Sequence, residues 1–411
     1  MRLKSLAAAS AVLALLPLTA AATQQSVHQE WTASWAASPQ RPSAGFGPNW
    51  SEEGFSDQTV RQVVRLTVGG SAVRIHLSNR YGASPLKVTG ATIARAGAGA
   101  SIVPATTTRL KVHDRTAFEI PTGADVVTDA ASFRVKAAES VTVSLYLKDT
   151  TGPATFHSQA WTNTYRAQGN HQTDTGAAAY TASTKSWYFL SGIDTVAQGK
   201  RDLVVAFGDS ITDGFASTAG ANHRYPDRLA DRLHAAGRDT AVVNQGIGGN
   251  LVVNDSAWYG ERSTNRFDRD VLQQAGVRTV ILLEGVNDIG FSEVDQPTYK
   301  PAADVSAAQI VTGYRTLIRE AHAHGVRVVG ATLLPLGGSD HYTARSGAKQ
   351  DAINHWIRTS GEFDAFVDFD RALADPKDPD RINPRYDSGD HLHPNNLGYK
   401  LMADTISLNT L

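Results

Sequence analysis

Five short apolar runs recur through the second half of the chain: Leu203 to Phe207, Ala241 to Val243, Val280 to Leu283, Val326 to Val329 and Phe366 to Phe369. Each is too short for a helix and almost wholly apolar, as a strand buried on both faces must be. Helical patterns lie between them. Tyr225, Leu229 and Leu233 recur at helical spacing and stop near Gly237. Ser306 to His324 opens on a Ser306–Gln309 capping box and closes at Gly325. Parallel strands need long crossovers, and helices then cover both faces of the sheet. The expected architecture is an α/β, doubly wound, five-stranded parallel sheet over residues 200–411.

The first half has a different grammar. Val64, Leu66 and Val68 alternate with Arg65 and Thr67; Gly69-Gly70 follows; then Val73, Ile75 and Leu77 alternate with Arg74, His76 and Ser78. Two alternating runs around a Gly-Gly pair predict a β-hairpin. Val141, Val143, Leu145 and Leu147 repeat the period of two, and no long helical period interrupts this half. A β-sandwich-like domain over residues 23–199 is expected, with a linker around Gly192 to Gly199. Trp31 to Pro39, "WTASWAASP", is a candidate to pack on the second domain.

Hydrophobic residues make up 41% of the chain and charged residues 19%, so a buried core is expected. Residues 1–22 read as a secretory signal peptide: Arg2 and Lys4, an apolar stretch from Leu6 to Leu18, then Ala20-Ala21-Ala22. The stretch is short for a membrane span. The expected localisation is therefore secreted, without a stable membrane anchor. Loss of the two leader cations takes the formal charge from −1 to −3, a balance that points to neither nucleic acid nor an anionic membrane as the main partner. The chain has no cysteine, which excludes thiol catalysis and thiolate metal sites.

Ligands bind outside the carboxyl ends of the strands in an open parallel sheet. Four such ends carry chemistry. Ser210 follows the first strand in "VVAFGDSITDG", where Gly208 lets the chain bend and the next segment aims backbone N–H groups at the same place. The second strand runs into the glycine-rich "NQGIGGN", Asn244 to Asn250. The third leads to "EGVNDIG", with Asn287 as a neutral amide donor. Beyond the fifth, "GDHLHPNNLGY" sets Asp390 three residues before His393, a spacing that lets the carboxylate hold one ring nitrogen and leaves the other for a serine. An activated hydroxyl with donors for a developing oxyanion is what acyl transfer requires.

"GDSITDG", "NQGIGGN", "GVND" and "DHLH" resemble, in order, the four sequence blocks of the GDSL, or SGNH, hydrolase family. The resemblance spans Gly208 to His393. It implies Ser210 as nucleophile, Asp390 and His393 as its triad partners, and an oxyanion hole formed by Ser210 N–H, Gly249 and Asn287. The serine lacks the GxSxG elbow of α/β-hydrolases. The first half resembles the β-rich amino-terminal regions of some secreted members.

Other residues have plainer readings. Asp209 is expected to satisfy nearby backbone donors. His391 and His393, with Asp387 and Asp390, suggest a metal only weakly, since residues two apart on a strand point oppositely; no metal and no cofactor are expected. His322 and His324 sit at a helix end whose dipole favours them. Asp375 to Asp390 reads as a solvated loop. Trp31, Trp35, Trp50 and Trp161 are expected in the sandwich core, with a sugar-stacking platform as the alternative. The expected activity is hydrolysis of carboxylic esters with short acyl groups, on a small-molecule or carbohydrate carrier. The alternatives are a lipase or phospholipase-type acylhydrolase, and a non-catalytic carbohydrate-binding protein.

Overall fold

All six residues of Leu203–Gly208 are buried, because neighbouring strands and helices cover every side of this segment. In the computed structural model, which describes residues 29–295, 297–300 and 302–411, it is the second strand in a five-stranded parallel sheet. The strands lie in the order Ala241–Gly246, Leu203–Gly208, Val277–Leu283, Arg327–Ala331, Ala365–Val367. Helices Tyr225–Ala235 and Asn396–Thr405 pack together, as do Ala307–Ala323 and Ala344–Thr359. Ser306 and Gln309 form the expected capping box. The last strand stops at Val367, short of the expected Phe369: Asp368 accepts from Arg371 N and caps a new helix, Phe369–Leu373, which buries Phe369. The expected leader, residues 1–22, lies outside the described residues.

The first half folds into two facing antiparallel sheets. One contains Gln29–Ala36, Leu190–Gln198, Val73–Ser78 and Asp125–Val127. The other runs Ala182–Thr184, Thr164–Gln168, Gln58–Arg65, Ser140–Leu147, Gly90–Arg95, Thr108–Arg109. Val60, Val64, Ile75, Leu77, Val143, Leu145 and Ile193 meet in one apolar core.

Two expectations are corrected here. Gln58–Arg65 and Val73–Ser78 do not form a hairpin; the first pairs with Ser140–Leu147 and Thr164–Gln168, the second with Leu190–Gln198 and Asp125–Val127. Alternation sets which face is buried, and both strands face the same core from opposite sheets. Gly69-Gly70 lies on the crossing, where Gly70 N donates to Val135 O at 3.0 Å. The expected linker, Gly192 to Gly199, is mostly strand: Leu190–Gln198 is hydrogen-bonded on both edges. Its apolar Ile193 and Val196 are buried, and Asp194 accepts from Arg74 Nε and bonds His76. The acidic loop is likewise partly ordered into a short hairpin, Ala374–Asp375 with Asp378–Ile382, whose first four later-strand residues are exposed.

The two halves are tightly joined. Ala33, Ala36 and Val68 belong to the core of the α/β half, so part of "WTASWAASP" packs as anticipated. Ala33 N donates to Ala275 O at 2.9 Å. Ala241–Gly246 is an edge strand, and Val242 N finds Thr67 Oγ1 at 3.3 Å.

Arg266, on the short helix Ser263–Phe267, ties these parts together and is wholly buried. Its Nη2 donates to Gly208 O at 2.9 Å and Glu284 Oε1 at 3.0 Å. Nη1 reaches Gln245 O at 2.8 Å, Ser38 Oγ at 3.2 Å and Asp270 Oδ2 at 3.2 Å. Nε donates to Asn250 Oδ1 at 2.8 Å, and the guanidinium lies 3.9 Å over the Phe207 ring. One side chain therefore fixes the ends of three parallel strands, the loop at Asn250 and the sandwich at Ser38. Truncating one member of a buried ion pair costs about 3–5 kcal/mol. Arg266→Ala should lower unfolding free energy by about that amount; a urea melt within about 1 kcal/mol of the parent, the scale of an ordinary surface change, would contradict this role.

Candidate active site

The end of the first strand makes Ser210 accessible to chemistry by a tight turn. A Cβ at Gly208 would lie 2.1 Å from Thr212 Oγ1 and 2.3 Å from Leu283 O, so only glycine fits. The chain turns directly into the helix Ser210–Asp213. Asp209 caps it, Oδ1 accepting from Ile211 N at 3.0 Å, which is the structural role expected of it. Its other oxygen is buried without a partner. Burial, reinforced by the Glu284 carboxylate, raises the Asp209 carboxyl well above the usual range.

Ser210 Oγ is 2.8 Å from His393 Nε2, and His393 Nδ1 is 2.7 Å from Asp390 Oδ2. The Asp390–His393 spacing works because the turn folds back on its acid: Asp390 Oδ1 accepts from Leu392 N at 3.0 Å, His393 N at 2.8 Å and Ser388 Oγ at 2.9 Å. Partial burial opposes the charge, yet the His393 ring and these donors hold Asp390 far below the usual carboxylate range. The Phe215 ring covers the imidazole, centroid to centroid 4.2 Å. His391 is turned away at φ +62° and bonds Asp387 Oδ2 at 2.6 Å. Among the described residues no group of three or more His, Cys, Asp and Glu side chains is arranged to hold a metal.

Donors without backbone partners stand at the expected strand ends. Among the described residues, no backbone carbonyl takes the N–H of Ser210 or of Gly249. Gly249 has φ +76°, and a Cβ there would strike the Tyr259 ring at 2.1 Å. Asn287 lies in the helix Val286–Phe291 and is buried. One hydrogen of its amide goes to Asn250 O at 3.0 Å, leaving the second free. Asp288 anchors the same loop, accepting from Val252 N at 2.8 Å and Val253 N at 3.2 Å, while burial pushes its carboxyl up to about 7.

Three functional side chains were not singled out from the sequence. Arg266 is one; its signal is that Ser263, Arg266, Phe267, Asp270 and Val271 form a helical stripe, all of it buried. His157 is the second. It bonds Ser38 O at 3.0 Å and Asp213 Oδ1 at 3.1 Å, joining the sandwich to the serine's helix. His341 is the third. Its Nε2 lies 3.3 Å from Asn287 Oδ1, and its ring rests against Gly290. Burial, with the nearby His393, lowers the ring to about 4. A neutral His341 with its proton on Nε2 donates to Asn287 Oδ1 and orients the amide. No motif in the sequence marks it.

The tryptophan expectation divides. Trp35 and Trp50 are in the sandwich core, and Trp31 is half-buried with Arg74 over its ring. Trp161 departs from it: it lines a cavity beside Phe215.

Residues 206–401 match the model of the GDSL-like Lipase/Acylhydrolase family. No curated protein matches the chain. Solved structures that resemble it include a GDSL-like lipase from Bacteroides thetaiotaomicron VPI-5482, with 19% identity, 51% of this chain and 87% of that chain covered, and a TM-score of 0.38. An acetylxylan esterase from Geobacillus stearothermophilus gives 21%, 50%, 93% and 0.39 in the same order. The psychrotrophic esterase EstA from Pseudoalteromonas sp. gives 16%, 50%, 93% and 0.36.

The orientation of Asn287 generates a test. An unfolded histidine titrates near ~6.5, above the folded value for His341 of about 4. The unfolded chain therefore takes up the proton first. Stability is full above pH ~6.5 and falls as pH drops through about 4, by roughly 3 kcal/mol at the limit. Urea midpoints between pH 7 and pH 4 should lose this component in both His341→Leu and His341→Gln. His341→Leu should also lower kcat by about tenfold with KM little changed, as a supporting hydrogen bond is lost. His341→Gln, which keeps a donor, should restore most of it. Unchanged kcat in His341→Leu would separate this residue from Asn287.

Proposed function

Residues 206–401 belong to the GDSL-like lipase/acylhydrolase family, and from that premise we propose that the chain is a serine esterase acting on carboxylic esters. The observation that carries the reading is the unbroken line from Asp390 through His393 to Ser210 Oγ at the carboxyl ends of the parallel strands. In this reading His393 Nε2 takes the Ser210 proton as Oγ attacks the ester carbonyl. Asp390 holds the tautomer and stabilises the imidazolium. The carbonyl oxygen becomes an oxyanion received by Ser210 N–H, Gly249 N–H and the free hydrogen of the Asn287 amide. The bond to the alcohol breaks, and His393 returns the proton to the departing oxygen. Water, deprotonated in turn by His393, attacks the acyl carbon; its bond to Ser210 Oγ breaks, His393 returns the proton to Oγ, and the acid leaves.

We further propose short acyl groups, acetyl foremost, on a polar carrier. The support is the glycine-rich loop around Gly249, where the Tyr259 ring packs against the backbone and leaves little room for a long chain. Secretion is proposed on the basic, apolar and small-residue order of residues 1–22.

Hydrolysis of 4-nitrophenyl acetate by the purified protein, compared with Ser210→Ala, tests the reading. The parent should turn over and the folded variant should not, since Ser210 alone forms the acyl-enzyme; retained turnover in the variant refutes the assignment. Asn287→Ala removes one preorganised donor, a loss of about 2.7–4 kcal/mol or roughly a hundred- to a thousandfold in kcat. KM should change little. Near-normal kcat with a lowered melting temperature would make Asn287 a loop anchor instead.

A further inference from the structure

A cavity of about 410 Å³ opens beside the site. Phe215 is its one lining residue from the α/β half; the others, among them Phe46, Gln159, Trp161, Lys185 and Ser186, come from loops of the sandwich and from its strand Ala182–Thr184. Two contacts attach it to the reacting groups. The Phe215 ring is 4.2 Å from the His393 ring. Gln159 Oε1 lies over Gly248, where an added Cβ would be only 2.1 Å away, one residue before Gly249.

The chemistry of the wall is mixed in a particular way. Phe46 is 45% exposed and its ring lies 5.7 Å from the Tyr259 ring. Trp161 stands edge-on to Phe215 at 5.7 Å. It is held at φ +51°, a conformation that bulky residues rarely adopt and that collects at functional sites. Between these rings the lining carries the hydroxyl residues Ser158, Ser183, Thr184 and Ser186. A wall that mixes aromatic faces with hydroxyls suits a ligand with apolar faces and hydroxyl edges. A fatty chain would cover these groups without bonding them. The cavity lining contains no carboxylate and one cation, Lys185.

We infer that the sandwich half supplies the subsite for the alcohol portion of the ester, and that this portion is a neutral sugar ring. The inference rests on the esterase reading above for its direction. His393 must protonate the departing alcohol oxygen, so the leaving group lies on the His393 side, where Phe215 is both the cover of the imidazole and a wall of the cavity. The acyl group is then left to the α/β half, and the sandwich loops select the carrier. Trp161 and Phe46 stack on the ring, and hydroxyls of the wall meet those of the sugar.

The test compares two acetate esters: methyl acetate, whose alcohol is too small to fill the cavity, and peracetylated methyl β-D-glucopyranoside. The full-length parent should hydrolyse both. In Trp161→Ala and in Phe46→Ala the ratio of kcat/KM for the sugar ester to that for methyl acetate should fall at least tenfold, chiefly through KM. Phe46 is largely exposed, so its replacement leaves the core intact. A ratio unchanged in both variants overturns the subsite, as does a parent that takes methyl acetate and refuses the sugar ester. Calorimetric titration of Ser210→Ala with the sugar ester reads binding without chemistry. Binding weakened tenfold by adding Phe46→Ala supports the subsite, and no binding overturns it. A parent inactive on every acetate ester is a failure of the esterase reading and is recognised separately by that absence of turnover.

Discussion

The buried guanidinium of Arg266 imposes the condition that the rest of the site has to meet. A charged group with no exposed surface needs a partner for every nitrogen. Here the partners are Gly208 O, Gln245 O, Asn250 Oδ1, Glu284 Oε1, Asp270 Oδ2 and Ser38 Oγ. These atoms belong to the ends of three strands, to the loop beside Gly249, and to the other half of the chain. Satisfying one side chain therefore brings the serine's turn, the glycine loop and the sandwich into a single arrangement. Buried ion pairs add little net stability against an apolar replacement. Their gain here is geometric: the carbonyls that Arg266 holds belong to the segments from which Ser210 and Gly249 project.

That arrangement concentrates acids under the serine, and the structure handles each differently. Asp390 is held ionised by its ring partner and turn donors. Asp209, Glu284 and Asp288 are all buried, and burial raises all three carboxyls. Arg266 offsets part of this charge through Glu284, while Val252 N and Val253 N do so for Asp288. The environment thus separates Asp390, whose charge is favoured, from three carboxyls whose charge burial disfavours.

The sequence made the parallel sheet and its strand ends legible because fully buried strands leave a plain apolar signature. Ser210, His393 and Asp390 were legible for a related reason: their spacing and strand-end positions constrain where they can meet. Pairing in the sandwich was not. The period of two in Val64 to Leu77 reports burial of a face, which two strands in opposite sheets satisfy as well as a hairpin does. Gly192 and Gly199 looked like a linker because glycine marks turns, yet Gly192 sits in a strand against the His76 ring. Arg266 left a trace in the helical stripe from Ser263 to Val271, but His157 and His341 were invisible. Each works through partners far away in sequence, Asp213 for His157 and Asn287 for His341. Single polar residues carry no periodicity.

The same long-range contacts explain why the sandwich cannot be a passive attachment. Thr67 satisfies a buried donor on the edge strand of the parallel sheet, Ser38 completes the Arg266 shell, and His157 bonds the helix that begins with Ser210. These contacts surround the catalytic segments rather than a remote surface. A domain so attached has limited freedom to move relative to the site. Its loops at Phe46, Gln159 and Trp161 are consequently fixed beside His393 before any substrate arrives. Rigid placement of this kind reduces the ordering that binding must otherwise impose. In the proposed reading it also separates two tasks physically: the α/β half would activate the serine and receive charge, while the sandwich half would present a preformed wall to the group on the ester oxygen.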